Sequence, residues 1–206
     1  MSTKLAHKIG YLAAFFALVF GNTGFASDAK LYGQNRKVDS LVISPDGTRI
    51  AYLFTEEGFT SLVVQPIEGS GGIKVGGGEL KLRYVEWSGP NHVLLFASQT
   101  QGMFFYGTID LEFWGVFSVD VRSGEIIQML GRNRAMDIQG SLANVRAKAW
   151  DEDGTVYMAA RTTKEGRRDP SVGVAGYSLG TVDLYKVDGN SGRGDRIAKG
   201  SENTDE

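Results

Sequence analysis

Three observations predict an all-β chain. Glycine is abundant, 28 of 206 residues against a usual ~7%, while proline is scarce at 4. Glycine in this number serves turns, and many turns imply many short strands. A short unit also occurs three times, as Ile43-Ser44-Pro45-Asp46-Gly47, Trp87-Ser88-Gly89-Pro90-Asn91 and Trp150-Asp151-Glu152-Asp153-Gly154. In each, a bulky residue closes an apolar run, a turn follows, and a second apolar run begins. A second pattern sits at matched offsets: Phe117-Ser118-Val119-Asp120-Val121-Arg122-Ser123-Gly124 aligns with Tyr185-Lys186-Val187-Asp188-Gly189-Asn190-Ser191-Gly192. The Asp ends a strand and Ser-Gly reverses it, because glycine tolerates φ > 0. The units lie 44 residues apart (43 to 87) and then 63 (87 to 150). A period of ~40–50 residues is that of a β-propeller, a ring of small sheets. Three units do not close a ring. The expectation is a partial β-propeller: about three four-stranded antiparallel blades, near 37–80, 81–131 and 142–201, in an open arc.

The first blade reads as strands at Lys37–Ile43, Arg49–Phe54, Ser61–Ile67 and Ile73–Val75, with turns at Ser44–Gly47, Glu56–Gly58 and Glu68–Gly71. In Arg49–Phe54, Ile50, Tyr52 and Phe54 alternate with Ala51 and Leu53. Both faces are apolar, which predicts burial on both sides. The second blade reads Leu82–Trp87, Val93–Ala97, Trp114–Val121 and Ile126–Leu130. The third reads Asn144–Trp150, Thr155–Ala160, Val182–Asp188 and Asp195–Ala198. Two insertions, 98–113 and 161–181, fall between second and third strands and are expected to emerge as loops on one face. One is aromatic (Phe104, Phe105, Tyr106, Phe113); the other is basic, then glycine-rich (Lys164, Arg167, Arg168, Gly173, Gly176, Gly180). They read either as loops folding over the rim or as a docking surface for another domain or chain.

The first 26 residues have the three parts of a secretory signal. Lys4, His7 and Lys8 make a basic start, Ile9–Phe20 is a 12-residue apolar or small stretch, and Gly24-Phe25-Ala26 places small residues before Ser27. The apolar stretch is short of the ~20 residues that span a bilayer. The expectation is cleavage after Ala26, export to the periplasm or outside, and no stable membrane anchor. The remainder, 27–206, carries the propeller.

Composition excludes several chemistries. The chain has no cysteine, which removes disulfides, zinc–thiolate sites and thiol catalysis. The net charge of −2, without a basic stripe, gives no basis for nucleic-acid binding. Only His7 and His92 are histidines.

Four motifs resemble functional ones. Gly176-Tyr177-Ser178-Leu179-Gly180 is a literal Gly-x-Ser-x-Gly, but a strand follows it where a nucleophile elbow needs a helix, and no His lies beyond Ser178. Asp151-Glu152-Asp153-Gly154 begins like a calcium loop, but position 12 would be Thr162 with a strand between, so it reads as a β-turn. Gly76-Gly77-Gly78 lacks the Lys and helix of a phosphate loop. His92, at a strand start with no second His, reads as a satisfied or solvated residue rather than a metal ligand. Trp87 and Trp150 occupy matching positions and read as blade-packing residues. No catalytic, cofactor-binding or metal residue is therefore assigned, and no cofactor.

Val42-Ile43-Ser44-Pro45-Asp46-Gly47-Thr48-Arg49-Ile50-Ala51-Tyr52 resembles the "SPDG…IAY" blade signature of propellers in the prolyl oligopeptidase family and in TolB-like proteins. The runs Leu62-Val63-Val64 to Val85-Glu86-Trp87, Leu184-Tyr185-Lys186-Val187-Asp188 and Lys199–Asp205 are similar to the N-terminal propeller of exported bacterial members of that peptidase family. The resemblance covers most of 27–206. It implies a roughly seven-bladed propeller preceding an α/β-hydrolase domain with a Ser-Asp-His triad, the propeller limiting access to short peptides. Nothing here matches the catalytic domain, so no catalytic residue carries over. The implied role is a non-catalytic N-terminal propeller fragment whose partner is the missing hydrolase domain. The alternative is an exported binding or scaffold protein that closes its ring with a second chain.

Overall fold

The computed structural model describes residues 37–105, 107–131, 144–162 and 181–200. The signal-like segment, most of the second insertion with Ser178, and the C-terminal six residues lie outside these.

Among the described residues twelve strands form three four-stranded antiparallel sheets. Sheet I holds β1 (Val38–Ile43), β2 (Arg49–Glu56), β3 (Phe59–Pro66) and β4 (Ile73–Gly76). Sheet II holds β5 (Lys81–Trp87), β6 (His92–Phe105), β7 (Gly107–Asp120) and β8 (Ile126–Gln128). Sheet III holds β9 (Val145–Lys148), β10 (Val156–Thr162), β11 (Thr181–Val187) and β12 (Gly194–Ala198). Each sheet is a simple meander in chain order, the arrangement that short reversing turns permit. The tightest is β2–β3, where Glu56 pairs with Phe59. Its two loop residues, Glu57 (φ 51) and Gly58 (φ 86), are both left-handed, as a type I′ hairpin turn requires.

Sheet II packs on both neighbours. Along β6 the side chains alternate between two cores. Val93 and Leu95 join Ala51, Leu53, Leu62, Val64, Val85, Trp87 and Val119 against sheet I. Leu94 and Phe96 join Val116, Met129, Val156, Met158, Tyr185 and Val187 against sheet III. The period of two in a strand puts successive residues on opposite faces, so β6 is apolar on both faces from Val93 to Ala97. Neither core joins sheet I to sheet III, and the three sheets do not close on one another.

The end sheets are covered on one face. In β2, Ala51 (0% exposed) and Leu53 (2%) are buried against sheet II. Ile50, Tyr52 and Phe54, on the opposite face, are only half-buried. Burial on both sides, expected of β2, is thus met by β6 and not by β2 among the described residues. Sheet III is similar: Val156, Met158 and Ala160 are buried toward sheet II, while Tyr157 and Leu184 are half-buried and Val182 is exposed.

Two further expectations are corrected. Residues 98–113 are not a loop. Strands β6 and β7 pair without interruption from His92↔Asp120 to Phe105↔Gly107, and polar and apolar residues alternate along the β7 side from Thr108 to Phe113. Pairing of β5 with β6 ends at Lys81↔Ser98 and that of β8 with β7 at Phe117↔Gln128, so the hairpin continues past its neighbours as a two-stranded arm. Trp150 does not match Trp87. Trp87 is 4% exposed in the core, whereas Trp150 is 62% exposed. The reason is the turn length: β9 ends at Lys148, and Trp150 falls inside the reversal closed by Ala149 N–H to Thr155 O (3.0 Å). Ile43 is exposed as well.

Candidate functional site

Of the polar residues singled out in the sequence, His92 and Asp153 meet at the seam between sheets II and III, at the turn ends. Strands β2, β6 and β10 are preceded or begun by Arg49, His92 and Thr155, which are register equivalents: the next residues, Ile50, Val93 and Val156, pair with Ile43, Trp87 and Lys148. From this position Arg49 reaches into the sheet II turn. Its Nη2 donates to Pro90 O (2.5 Å) and Asn91 Oδ1 (3.5 Å), and its guanidinium lies 5.6 Å from the Trp87 ring centre.

His92 does the same toward sheet III. It is 1% exposed. Nε2 lies 3.1 Å from Asn190 Oδ1, and Nδ1 lies 3.2 Å from Asp153 Oδ1, an ion-pair distance without hydrogen-bond alignment. Asn190 Nδ2 donates to Asp188 Oδ1 (3.1 Å), which turns Asn190 Oδ1 toward the ring, so Nε2–H donates to it. Asp153 accepts from Asn91 N–H (3.0 Å) and Nδ2 (2.9 Å). Burial raises the Asp153 carboxyl, and the Asn91 donors outweigh this, leaving it below the usual carboxylate value. Asp188 shows the same balance through Ser191 and Asn190. Asp120, at the end of β7, is held down to about 2, chiefly by its hydrogen bond from Arg122.

Glycine permits the close approach. Gly154 (φ +79) faces the His92 ring, and a Cβ there would lie 2.7 Å from Cγ; a Cβ on Gly89 (φ +91) would lie 2.5 Å from Asp153 Oδ1. By contrast Gly47 (φ +71), in the sheet I turn, has nothing within 4 Å. Backbone bonds complete the seam: Gly154 N–H to Ser88 O (2.7 Å) and Leu130 N–H to Gly192 O (2.8 Å). Between sheets I and II, the bulge in β1 places Ser40 (φ 52) so that its Oγ accepts the Val85 N–H (2.8 Å).

A His–carboxylate pair is two-thirds of a nucleophilic triad. Here the ring is enclosed and both nitrogens face oxygen acceptors, so the geometry joins sheets and offers no substrate an approach. The Asp151–Gly154 segment is a turn whose Asp153 binds sheet II, and among the described residues no three His, Asp or Glu side chains gather to hold a metal. Gly76 ends β4, and Gly77 and Gly78 open the turn to β5, with Leu80 N–H bonded to Gly77 O (3.0 Å). Phe113 is half-buried on the arm, and 163–180, with Ser178, lies outside the described residues. Sequence reasoning missed the joint role of Arg49, His92 and Asp153. Their turns differ in length, so aligning the bulky residues hides the equivalence that strand register reveals.

No protein-family model matches the chain, and no curated protein sequence matches it. Among the described residues no helix is long and apolar enough to cross a membrane.

Proposed function

We propose that residues 37–200 are opening blades of a β-propeller in an exported serine peptidase of the prolyl oligopeptidase type. In this reading the chain is non-catalytic. It gates or supports a hydrolase domain carried outside residues 1–206. The observation that supports it is the face of β2 bearing Ile50, Tyr52 and Phe54. Strand β6 has the same two-sided apolar pattern and is covered on both sides, whereas β2 is covered on one. Stacked repeats bury their faces against neighbours of the same kind, so the face of β2 fits a further blade. The repeated reach of Arg49 and His92 into the following sheet supports the same reading. Sequencing the gene beyond the codon for Glu206 tests it. Further Ser-Pro-Asp-Gly-type units, then Gly-x-Ser-x-Gly followed by Asp and His, are expected; a stop codon without them overturns it.

The second reading is an exported scaffold that closes its ring with another copy of itself. Its support is that sheet III also presents apolar residues outward, with Val182 exposed and Leu184 half-buried. Sheet III of one copy can then cover sheet I of the next. A discrete dimer in light scattering distinguishes this reading from the first.

A further inference from the structure

A cavity of about 160 Å³ opens between β5, β6 and β9, on the side of the first strands and away from the His92 seam. Its volume is close to the ~150 Å³ that holds a benzene ring. One wall is aromatic: the Tyr84 and Phe96 rings stack on each other with centroids 4.1 Å apart and planes at 15°. Phe96 is buried while Tyr84 is 38% exposed, so the platform is fixed from behind and accessible in front. Val145 contributes an apolar edge and packs against the core of sheets II and III.

The charges around this space do not cancel. Lys148 Nζ lies 2.6 Å from Glu86 Oε2 and 5.4 Å from the Trp150 ring centre, so it is spoken for. Arg146 lines the same cavity and is exposed, and no ion pair or hydrogen bond engages its side chain among the described residues. It occupies the irregularity in β9, where Tyr157 pairs with Ala147 and Met158 skips to Val145. Bulges re-aim side chains and are frequent beside binding sites. The corresponding irregularity in β5 carries Arg83, and there the guanidinium is consumed: it pairs with Glu112, its Nε donates to Ser98 Oγ (2.8 Å), and it covers the Trp114 ring. Arg146 has the same setting without the carboxylate.

We infer that this cavity binds a small aromatic carboxylate. The ring of the ligand packs on Tyr84, which Phe96 backs, and its carboxylate forms a forked pair with Arg146, the geometry guanidinium favours. Glu86 at the rim disfavours ligands of higher negative charge, and Arg146 disfavours cations. The inference depends only on sheets II and III and stands whether or not they belong to a propeller.

Phenylacetate is the probe, with phenylacetamide as its neutral counterpart, each titrated into the purified chain by calorimetry. Saturable binding of phenylacetate is expected, with phenylacetamide weaker by about tenfold or more, the scale of one charge-assisted hydrogen bond. Arg146→Gln is expected to weaken phenylacetate by a similar factor, and Arg122→Gln, at the far turn, to leave it unchanged. Arg146 is exposed, and an unaltered melting curve for Arg146→Gln confirms that its effect is local. Equal affinity for acid and amide, retention of affinity by Arg146→Gln, or no saturable binding overturns the inference.

Discussion

Replacing Gly154 by Ala tests the seam between sheets II and III, and Gly47→Ala supplies its control. Both glycines have positive φ, +79 and +71, so both variants carry the left-handed cost of an L-residue, roughly 1–2 kcal/mol. They differ in surroundings. A Cβ at Gly47 meets open space, whereas one at Gly154 lies 2.7 Å from His92 Cγ and 2.8 Å from Nδ1. The ring cannot withdraw freely, because Asn190 and Asp153 bracket it. Forcing an added methyl into a packed site costs about 1–3 kcal/mol, so Gly154→Ala is predicted to lose that much more stability than Gly47→Ala. For a chain of this size the extra loss corresponds to a Tm lower by roughly 2–12 °C. Thermal melts of both variants by circular dichroism read the difference directly. Equal losses would refute the seam as described.

Three other perturbations follow from the same structure. Glu57→Asn places the residue best suited to the first left-handed position of the β2–β3 turn, and should raise stability by several tenths of a kcal/mol to about 1 kcal/mol in urea titrations; a loss contradicts the turn type. The Asp120 carboxyl, at about 2 when folded, lies below the ordinary value of ~3.9. Its stabilisation is therefore complete above that ordinary value and is lost as pH falls toward 2. Asp120→Asn should be destabilised at pH 6 and converge with the parent protein near pH 2; a constant gap contradicts this. Arg49→Ala removes the bonds to Pro90 and Asn91 and the stack on Trp87, and should cost about 1–2 kcal/mol in the same urea assay.

Much of the strand pattern is legible in the residues. Turn signals at Ser44–Gly47, Glu57-Gly58 and Ser123-Gly124 mark reversals, because few residues adopt the backbone they need. The apolar run of Ile50 to Phe54 marks a strand, although only its Ala51–Leu53 face is buried. What escapes is partner-dependent. The 98–113 segment reads as an insertion because its pairing with itself, Gln99↔Phe113 onward, is a hairpin contact that composition alone does not mark. Trp150 reads as core because a bulky residue before a turn resembles Trp87, and only the register of β9 places it in the turn. The joint of Arg49, His92 and Asp153 depends on which sheets lie side by side, which no local window contains. The cavity at Arg146 likewise depends on two sheets and on one irregular pairing.

The claim that the outer faces of sheets I and III are built for neighbours is tested most directly by light scattering of residues 27–206 over a concentration series, with a hydrophobic dye alongside. The account predicts dye binding and a mass that climbs with concentration, both reduced when Ile50 and Tyr52 are replaced by Ser. A monodisperse monomer that binds no dye would contradict it.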